Sequence, residues 1–401
     1  MKNRFIHCAD LHLGAQPLKL EERYNDFYNT FSTIIDYAIK NEIKLLLISG
    51  DLFHIKNINS KTLLKTTQIL QKAKENSIQV IVIEGNHDKA FYVDEDSWLV
   101  FLKESGLIKL LAHKLDNGKI VDIDVYEDES IQVFGVGYLG SATENHIDEI
   151  KEIINKKKNK EKYAVLMLHA AIDKMINSDL ASVKKETIKK LKDCVDYLAL
   201  GHIHYYYDEG FIHNPGSIER IKIDESIKTK GFYDVIIEKK EANISFIELN
   251  IRNYITRIIK LDSKAPVHNE NEFIKYIKEY DFGEIKEGSV LIINLHGNLD
   301  WNTLLINFEE LKEELKQKYN LLYVEINNYI NIFEDELNTD DIDFSQIEKN
   351  EIKKDLENLY PEQNIDEILN NTLQLKDSII NKESNESILE VLYQIKVFNE
   401  N

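Results

Sequence analysis

The chain has 401 residues, 43% of them apolar, a formal net charge of −20 and two cysteines. That length predicts two or three domains with a sizeable core; the charge excludes a chain that coats nucleic acid by charge alone; and Cys8 and Cys194, neither in a CxxC pair, exclude a disulfide framework and read as small core residues. With no run of about 18 apolar residues and no cleavable signal pattern, a cytoplasmic protein with no membrane association is expected.

Taken in chain order, five short runs rich in Ile, Val and Leu each stop at polar groups. RFIHCADLH (4–12) ends with Asp10 and His12. The spacing of Phe27, Phe31, Ile34, Ile35 and Ala38 then predicts a helix over 24–42. IKLLLISGDLFH (43–54) ends with Asp51 and His54, and Leu63, Leu64, Thr67 and Leu70 predict the apolar face of a second helix over 59–76. IQVIVIEGNHD (78–88) ends with Asn86, His87 and Asp88, KYAVLMLHA (162–170) with His169, and YLALGHIH (197–204) with His202 and His204. Runs of this length and composition read as strands buried on both faces. Strand–helix–strand alternation implies parallel pairing, which brings the carboxyl ends of the strands to one edge, where ligands bind.

Residues 207–250 read as β-hairpins with a turn at Pro215-Gly216, and 251–330 as a βαβαβ unit. Residues 331–401 hold 18 Asp and Glu against six Lys and Arg, a net −12. This tail opens on an acidic linker and continues in short amphipathic helices. Ile365, Ile368, Leu369 and Leu373 share one face, and Ile388, Val391, Leu392 and Ile395 another. Helices this short need a partner for their apolar stripes. The basic segment 151–162 is a candidate DNA-backbone contact, with a solvated loop as the simpler reading.

The strand ends offer imidazoles, two carboxylates and an amide oxygen, and no thiolate. That donor set suits borderline-hard divalent ions such as manganese, iron or zinc. Eight groups exceed one tetrahedral site and suffice for two ions if one carboxylate bridges. Two ions close together clamp a phosphate and activate water for in-line attack. Residues i and i+2 of an extended chain point the same way, so Asp10 with His12, and His202 with His204, can face a common ion. Gly50, Gly85 and Gly201 read as steps that permit close backbone approach or let the chain turn out of the sheet. Asp88 reads either as orienting a neighbour or as a helix cap.

The stretches DLH, GDLFH, EGNHD, LMLHA and LGHIH, in that order, resemble the signature set of calcineurin-like metallophosphoesterases. GDLFH, LGHIH, NPGSIER and KGFYDVIIE resemble its DNA-repair branch, the SbcD-type or meiotic-recombination nucleases. The resemblance is clear over 1–250 and looser over 251–330. It implies an αββα sandwich with a small α/β capping domain and a helical C-terminal tail. It further implies two Mn2+ per chain: Asp10, His12 and His204 on one, Asn86, His169 and His202 on the other, and Asp51 bridging. His87 would stabilise the attacked phosphate or assist the leaving oxygen without binding metal, and His54 would be a second non-ligand histidine that aids exonucleolytic cleavage. Asp88 and Arg220 are further candidates, Arg220 for phosphate or for a structural salt bridge.

The same resemblance divides the chain into a nuclease domain (1–250), a capping, DNA-recognition domain (251–330), an acidic linker (331–358) and a helical segment (359–401) that docks on an SbcC-type, SMC-like ATPase. It implies a manganese-dependent exonuclease and endonuclease acting on DNA ends, single-stranded segments and hairpins. It also implies a homodimer, with helices around 61–75 and 97–105 as candidate contacts, and a heterotetramer with the ATPase. Two alternatives remain: a phosphodiesterase for small substrates, disfavoured by the cap and the tail, and a non-catalytic scaffold of the ATPase, disfavoured by the complete ligand set.

Overall fold

The structure is a computed structural model, and it describes residues 3–90, 96–173, 182–225, 228–238, 240–261, 267–299, 301, 306–332, 353 and 365–380. Its strands are β1 (Asn3–Cys8), β2 (Leu45–Ile48), β3 (Gln79–Val82), β4 (Lys109–Leu110), β5 (His113–Asp116), β6 (Lys119–Glu127), β7 (Ile131–Val136), β8 (Tyr163–His169), β9 (Tyr197–Gly201), β10 (Tyr207–Glu209), β11 (Ile212–Asn214), β12 (Gly231–Glu238), β13 (Glu241–Glu248), β14 (Tyr254–Leu261), β15 (Val290–Leu299) and β16 (Tyr323–Ile332). Its helices are α1 (Glu21–Lys40), α2 (Ser60–Glu75), α3 (Trp98–Glu104), α4 (Thr143–Lys157), α5 (Lys185–Lys189), α6 (Glu270–Glu279), α7 (Phe308–Lys318) and α8 (Ile365–Ile380). None of the described helices is long and apolar enough to cross a membrane.

Two sheets face each other. One runs β13-β12-β1-β2-β3-β4 and the other β10-β11-β9-β8-β7-β6-β5. The five runs that end in polar groups are β1, β2, β3, β8 and β9. β1 to β4 pair in parallel, as do β7, β8 and β9. Phe5, Leu47, Ile81, Val133, Met167, Tyr197 and Val235 fill the layer between the sheets. Phe27, Phe31, Ile34 and Ile35 of α1 cover the outer face of the first sheet, and Ile147, Ile150 and Ile154 of α4 that of the second. Central strands covered on both faces must be apolar throughout, which is why β2 and β8 are buried at every position. The result is an αββα sandwich. Cys8 and Cys194 are buried free thiols.

Two local readings are corrected. The buried stripe of α2 is Thr62, Thr66, Leu70 and Ala73, which leaves Leu64 exposed. The threonines face inward because their hydroxyls find partners: Thr62 Oγ1 meets the Tyr24 hydroxyl at 3.1 Å, and Thr66 donates to the Thr62 carbonyl. The first hairpin, β10–β11, turns at Gly210. Pro215-Gly216 instead leads β11 across to the first sheet, where Ser217 bridges Ala9.

Beyond β13 the predicted alternation is present as β14, α6, β15, α7 and β16, in a three-stranded sheet ordered β14-β15-β16. Residues 1–297 and 303–330 form one compact unit, and 298–302 with 331–401 a second. In the latter, α8 extends the predicted face, and Ile368 and Leu369 are buried. The linker 331–358, apart from residues 331, 332 and 353, and the second apolar face at 388–395 lie outside the described residues.

Candidate metal centre

Each of the five strands hands its last residues to one edge of the sandwich. Gly85 and Gly201 make room there. A Cβ on Gly85 would sit 2.0 Å from Asp51 Oδ1, and one on Gly201 would sit 2.1 Å from the Ser49 carbonyl oxygen. Gly201 therefore serves close approach; the turn out of the sheet is made by His202, at φ 93°. Asp10, His12 and Asp51 also have positive φ, at 52°, 46° and 52°. Four non-glycine residues in this region within one small site are a concentration of backbone strain of the kind found at functional centres.

All nine residues singled out from the sequence meet here. Asp10, His12 and His204 bring one donor atom each within 4.8 Å of one another, as do Asp51, His169 and His202. His12 Nε2 and His204 Nε2 are 3.1 Å apart. Asn86 Oδ1 lies 3.2 Å from His169 Nε2 and 3.0 Å from His202 Nδ1. Asp51 Oδ2 is 3.4 Å from His169 Nε2 and 3.8 Å from His12 Nε2, so a single carboxylate oxygen faces both groups. Asp10 accepts the His202 backbone N–H on both oxygens, at 3.0 and 2.9 Å. His54 and His87 form a third cluster with His12; their rings stack on each other, and His87 Nδ1 donates to the His54 carbonyl at 2.6 Å.

The electrostatics follow from burial and proximity. Burial pushes the Asp10 carboxyl up to about 6 against the pull of His169 and His204. Burial would also raise Asp51, yet His169 beside it holds its carboxyl below the usual range. The converse applies to His169: burial alone would lower it, and Asp51 raises it to about 9. Burial takes His202 down to about 4 and His12 well below the ordinary value, so both imidazoles stay neutral and able to ligate near pH 7.

Buried nitrogen and oxygen donors facing one another in two groups, one oxygen between them, fit a pair of divalent cations. Their orientation is fixed from behind. His169 Nδ1 donates to the Ser49 carbonyl at 2.8 Å, and His204 Nδ1 to Glu225 Oε1 at 2.9 Å. Metal-binding imidazoles are characteristically anchored in this way through the second nitrogen.

Residues 3–206 match the calcineurin-like phosphoesterase family. The DNA double-strand break repair protein Mre11 of Methanocaldococcus jannaschii is 31% identical over 299 residues, 70% of this chain and 76% of that protein. The chain belongs to the calcineurin-like phosphoesterases, in their Mre11 branch. The Mre11 proteins of Sulfolobus acidocaldarius and Archaeoglobus fulgidus are each 26% identical, over 82% and 69% of this chain and 90% and 63% of their own lengths.

Several features of this calcineurin-like site were not visible in the sequence. Glu225 is one, and Lys230 another: its side chain is fully buried, and its Nζ donates to Glu225 Oε2 at 2.5 Å, the His204 carbonyl at 2.7 Å and Ser217 Oγ at 2.6 Å. Burial would raise Glu225, but His204 and Lys230 hold it down at about 2. Neither residue ends an apolar run, so no periodicity marks them. Among the described residues Asp88 caps no helix and makes no hydrogen bond to the His87 ring. It accepts from the backbone N–H groups of Leu52, Phe53 and Gly85 at 3.0–3.1 Å, tying the Asp51 and Asn86 loops together. Arg220 meets no carboxylate directly among the described contacts of its side chain; it donates to the carbonyls of Glu225, Lys228 and Arg252. The basic segment is the end of α4 and the loop after it, where Lys151, Lys156, Lys157, Lys158 and Lys162 pair with Asp193, Glu152, Asp122, Asp196 and Glu127.

Proposed function

We propose that the chain is a manganese-dependent DNA exonuclease and endonuclease that hydrolyses phosphodiester bonds with two ions per chain, as the nuclease subunit of an SbcCD-type double-strand break repair complex. Family membership supports a metal-dependent phosphoester hydrolase, and the name shared by the Mre11 relatives supports DNA as its substrate. The observation that carries the two-ion reading is the Asp51 carboxylate oxygen between two groups of nitrogen and oxygen donors.

In this reading Asp10, His12 and His204 hold one ion, Asn86, His169 and His202 the other, and Asp51 is shared. When bound, the ions neutralise charge on the phosphoryl oxygens and supply an activated water. The chain's own groups do the rest. With Nδ1 committed to the His54 carbonyl, His87 presents Nε2 to the attacked phosphate, where it stabilises developing charge or gives a proton to the leaving oxygen. His54, stacked on His87 and lowered by burial and by His87's charge, supports that ring. Asp88 keeps the Asp51 and Asn86 loops in register.

Residues 1–250 then serve as the nuclease domain and 251–330 as the cap that guides DNA. Residues 359–401 serve as the docking segment for the SMC-like ATPase, joined by the acidic stretch 331–358. Leu64 of α2 and Phe101 of α3, both exposed, are candidate contacts of a homodimer that completes a heterotetramer with the ATPase.

The test is cleavage of labelled single- and double-stranded DNA with manganese, magnesium or chelator, beside a small chromogenic diester. Manganese-dependent DNA cleavage that chelator abolishes is expected; activity on the small diester alone would overturn the reading. Deleting 359–401 should abolish co-purification with the ATPase and spare single-strand cleavage.

A further inference from the structure

Past β7 the chain reaches Gly137 and Tyr138. The Tyr138 ring packs against two histidines of the metal centre, with centroids 5.3 Å from His202 and 5.8 Å from His169. The same ring lines a cavity of about 440 Å³ whose wall also includes Glu84, Lys89, Ser97, Leu111 and His113. None of these residues is used in the mechanism above.

The cavity's chemistry is specific. Leu111 is buried and gives it an apolar side. Lys89 Nζ stands 5.4 Å from the Tyr138 ring centroid, so a cation and a π face share the opening. The Glu84 carboxylate accepts from Ser97 Oγ at 2.7 Å, which holds it to the wall. His113 Nδ1 is buried and has no hydrogen-bond partner among the described residues. Burial and the charge of Lys89 keep this imidazole neutral, so it lines the wall without adding charge.

An aromatic face, an apolar side and a nearby cation are the parts that hold one nucleotide of a single strand: stacking, apolar contact and a phosphate contact. The volume lies within the range of small-ligand pockets, about 300–1,000 Å³. Because Tyr138 touches His169 and His202, a nucleotide next to a phosphate bound there meets this ring. We propose that the cavity is the subsite for the nucleotide adjacent to the scissile phosphate, its base stacked on Tyr138 against the apolar side at Leu111, with Lys89 facing the neighbouring phosphate. The proposal rests on the DNA nuclease reading above.

The test scans one abasic nucleotide through a single-stranded oligonucleotide, with cuts mapped at nucleotide resolution and bis(4-nitrophenyl) phosphate as a second substrate. In the unsubstituted protein, an abasic site beside the cut should lower kcat/KM by about tenfold. In Tyr138→Ala that penalty should vanish, and the ratio of DNA to small-diester kcat/KM should drop by a similar factor; Tyr138→Phe should restore both. Lys89→Ala, at an exposed position, should raise KM for DNA and flatten its salt dependence. An abasic penalty that persists in Tyr138→Ala, or equal losses on both substrates, would overturn the subsite and leave Tyr138 as packing for the histidines. If the unsubstituted protein cleaves the small diester and no DNA, the nuclease reading falls first and takes the subsite with it.

Discussion

His169, in one donor group, is fully buried, with Nδ1 on a backbone carbonyl and Nε2 against Asp51. His204, in the other, is 26% exposed at its side chain, with Nδ1 on the carboxylate of Glu225. The first imidazole is oriented by a neutral main-chain group and carries a raised pKa of about 9. The second is oriented by a charge that is itself clamped by Lys230. The two halves of the centre therefore answer to different forces. The inner half is governed by the Asp51–His169 pair, which an ion must break, and the outer half by a buried ionic anchor reaching in from the segment before β12.

The largest effect should come from Asp51→Asn, since its Oδ2 lies beside His12 of one half and His169 of the other. We expect loss of both ions and of all detectable cleavage, with ion content read by mass spectrometry and activity by DNA cleavage; retention of two ions would show that the halves do not share it. Next comes His87→Ala, outside both donor groups. Removing one polar transition-state contact costs about 2.7–4 kcal/mol, or about 10²–10³ in rate, and metal content should be unchanged. Loss of metal in that variant would make His87 a ligand.

Glu225→Ala should separate the halves. It leaves His204 unanchored and Lys230 buried without its carboxylate. Removing such a support lowers metal affinity by about 10–100-fold, and calorimetric titration should show only one of two binding events weakened. Glu225→Gln keeps an acceptor for His204 Nδ1 and should lose less. Equal weakening of both events would dissolve the distinction between the halves.

The smallest effect is one of protons. In the ion-free protein His169, raised to about 9, is protonated at pH 7.5, and an ion taking its place must discharge that proton. Metal uptake should release about one proton, visible as a dependence of binding heat on the buffer, and affinity should climb as pH rises toward 9. The sign for stability is opposite. A raised histidine contributes fully below its ordinary value of about 6.5 and loses that contribution as pH rises through about 9. Chelated protein should thus melt at lower temperature at pH 9 than at pH 6.5.

What could be read in advance and what could not follow from the same physics. β1, β2, β3, β8 and β9 are covered on both faces, so their sequences are nearly all apolar, and a polar residue at their ends stands out. Asp10, His12, Asp51, Asn86, His169, His202 and His204 were legible for that reason. Glu225, Lys230 and the Ser49 carbonyl act from irregular backbone or through the main chain, which leaves no period. The spacing places Leu64 on the buried face of α2 and passes over Thr62 and Thr66, because a hydrophobicity pattern does not anticipate that hydroxyls of Tyr24 and Thr62 will satisfy one another inside. For Asp88 the sequence leaves open a role in orienting a neighbour and one as a helix cap; its three bonds go to backbone N–H groups of the two loops that carry Asp51 and Asn86.

The positive φ values of Asp10, His12, Asp51 and His202 bear on how such a centre should be dissected. Alanine at any of these positions would delete a donor and at the same time install a residue that resists the local twist of the chain, so a damaged variant would report two faults as one. Asparagine tolerates that twist. A set of asparagine replacements at these four positions would isolate the chemistry of the lost group from the shape of the loop that carries it.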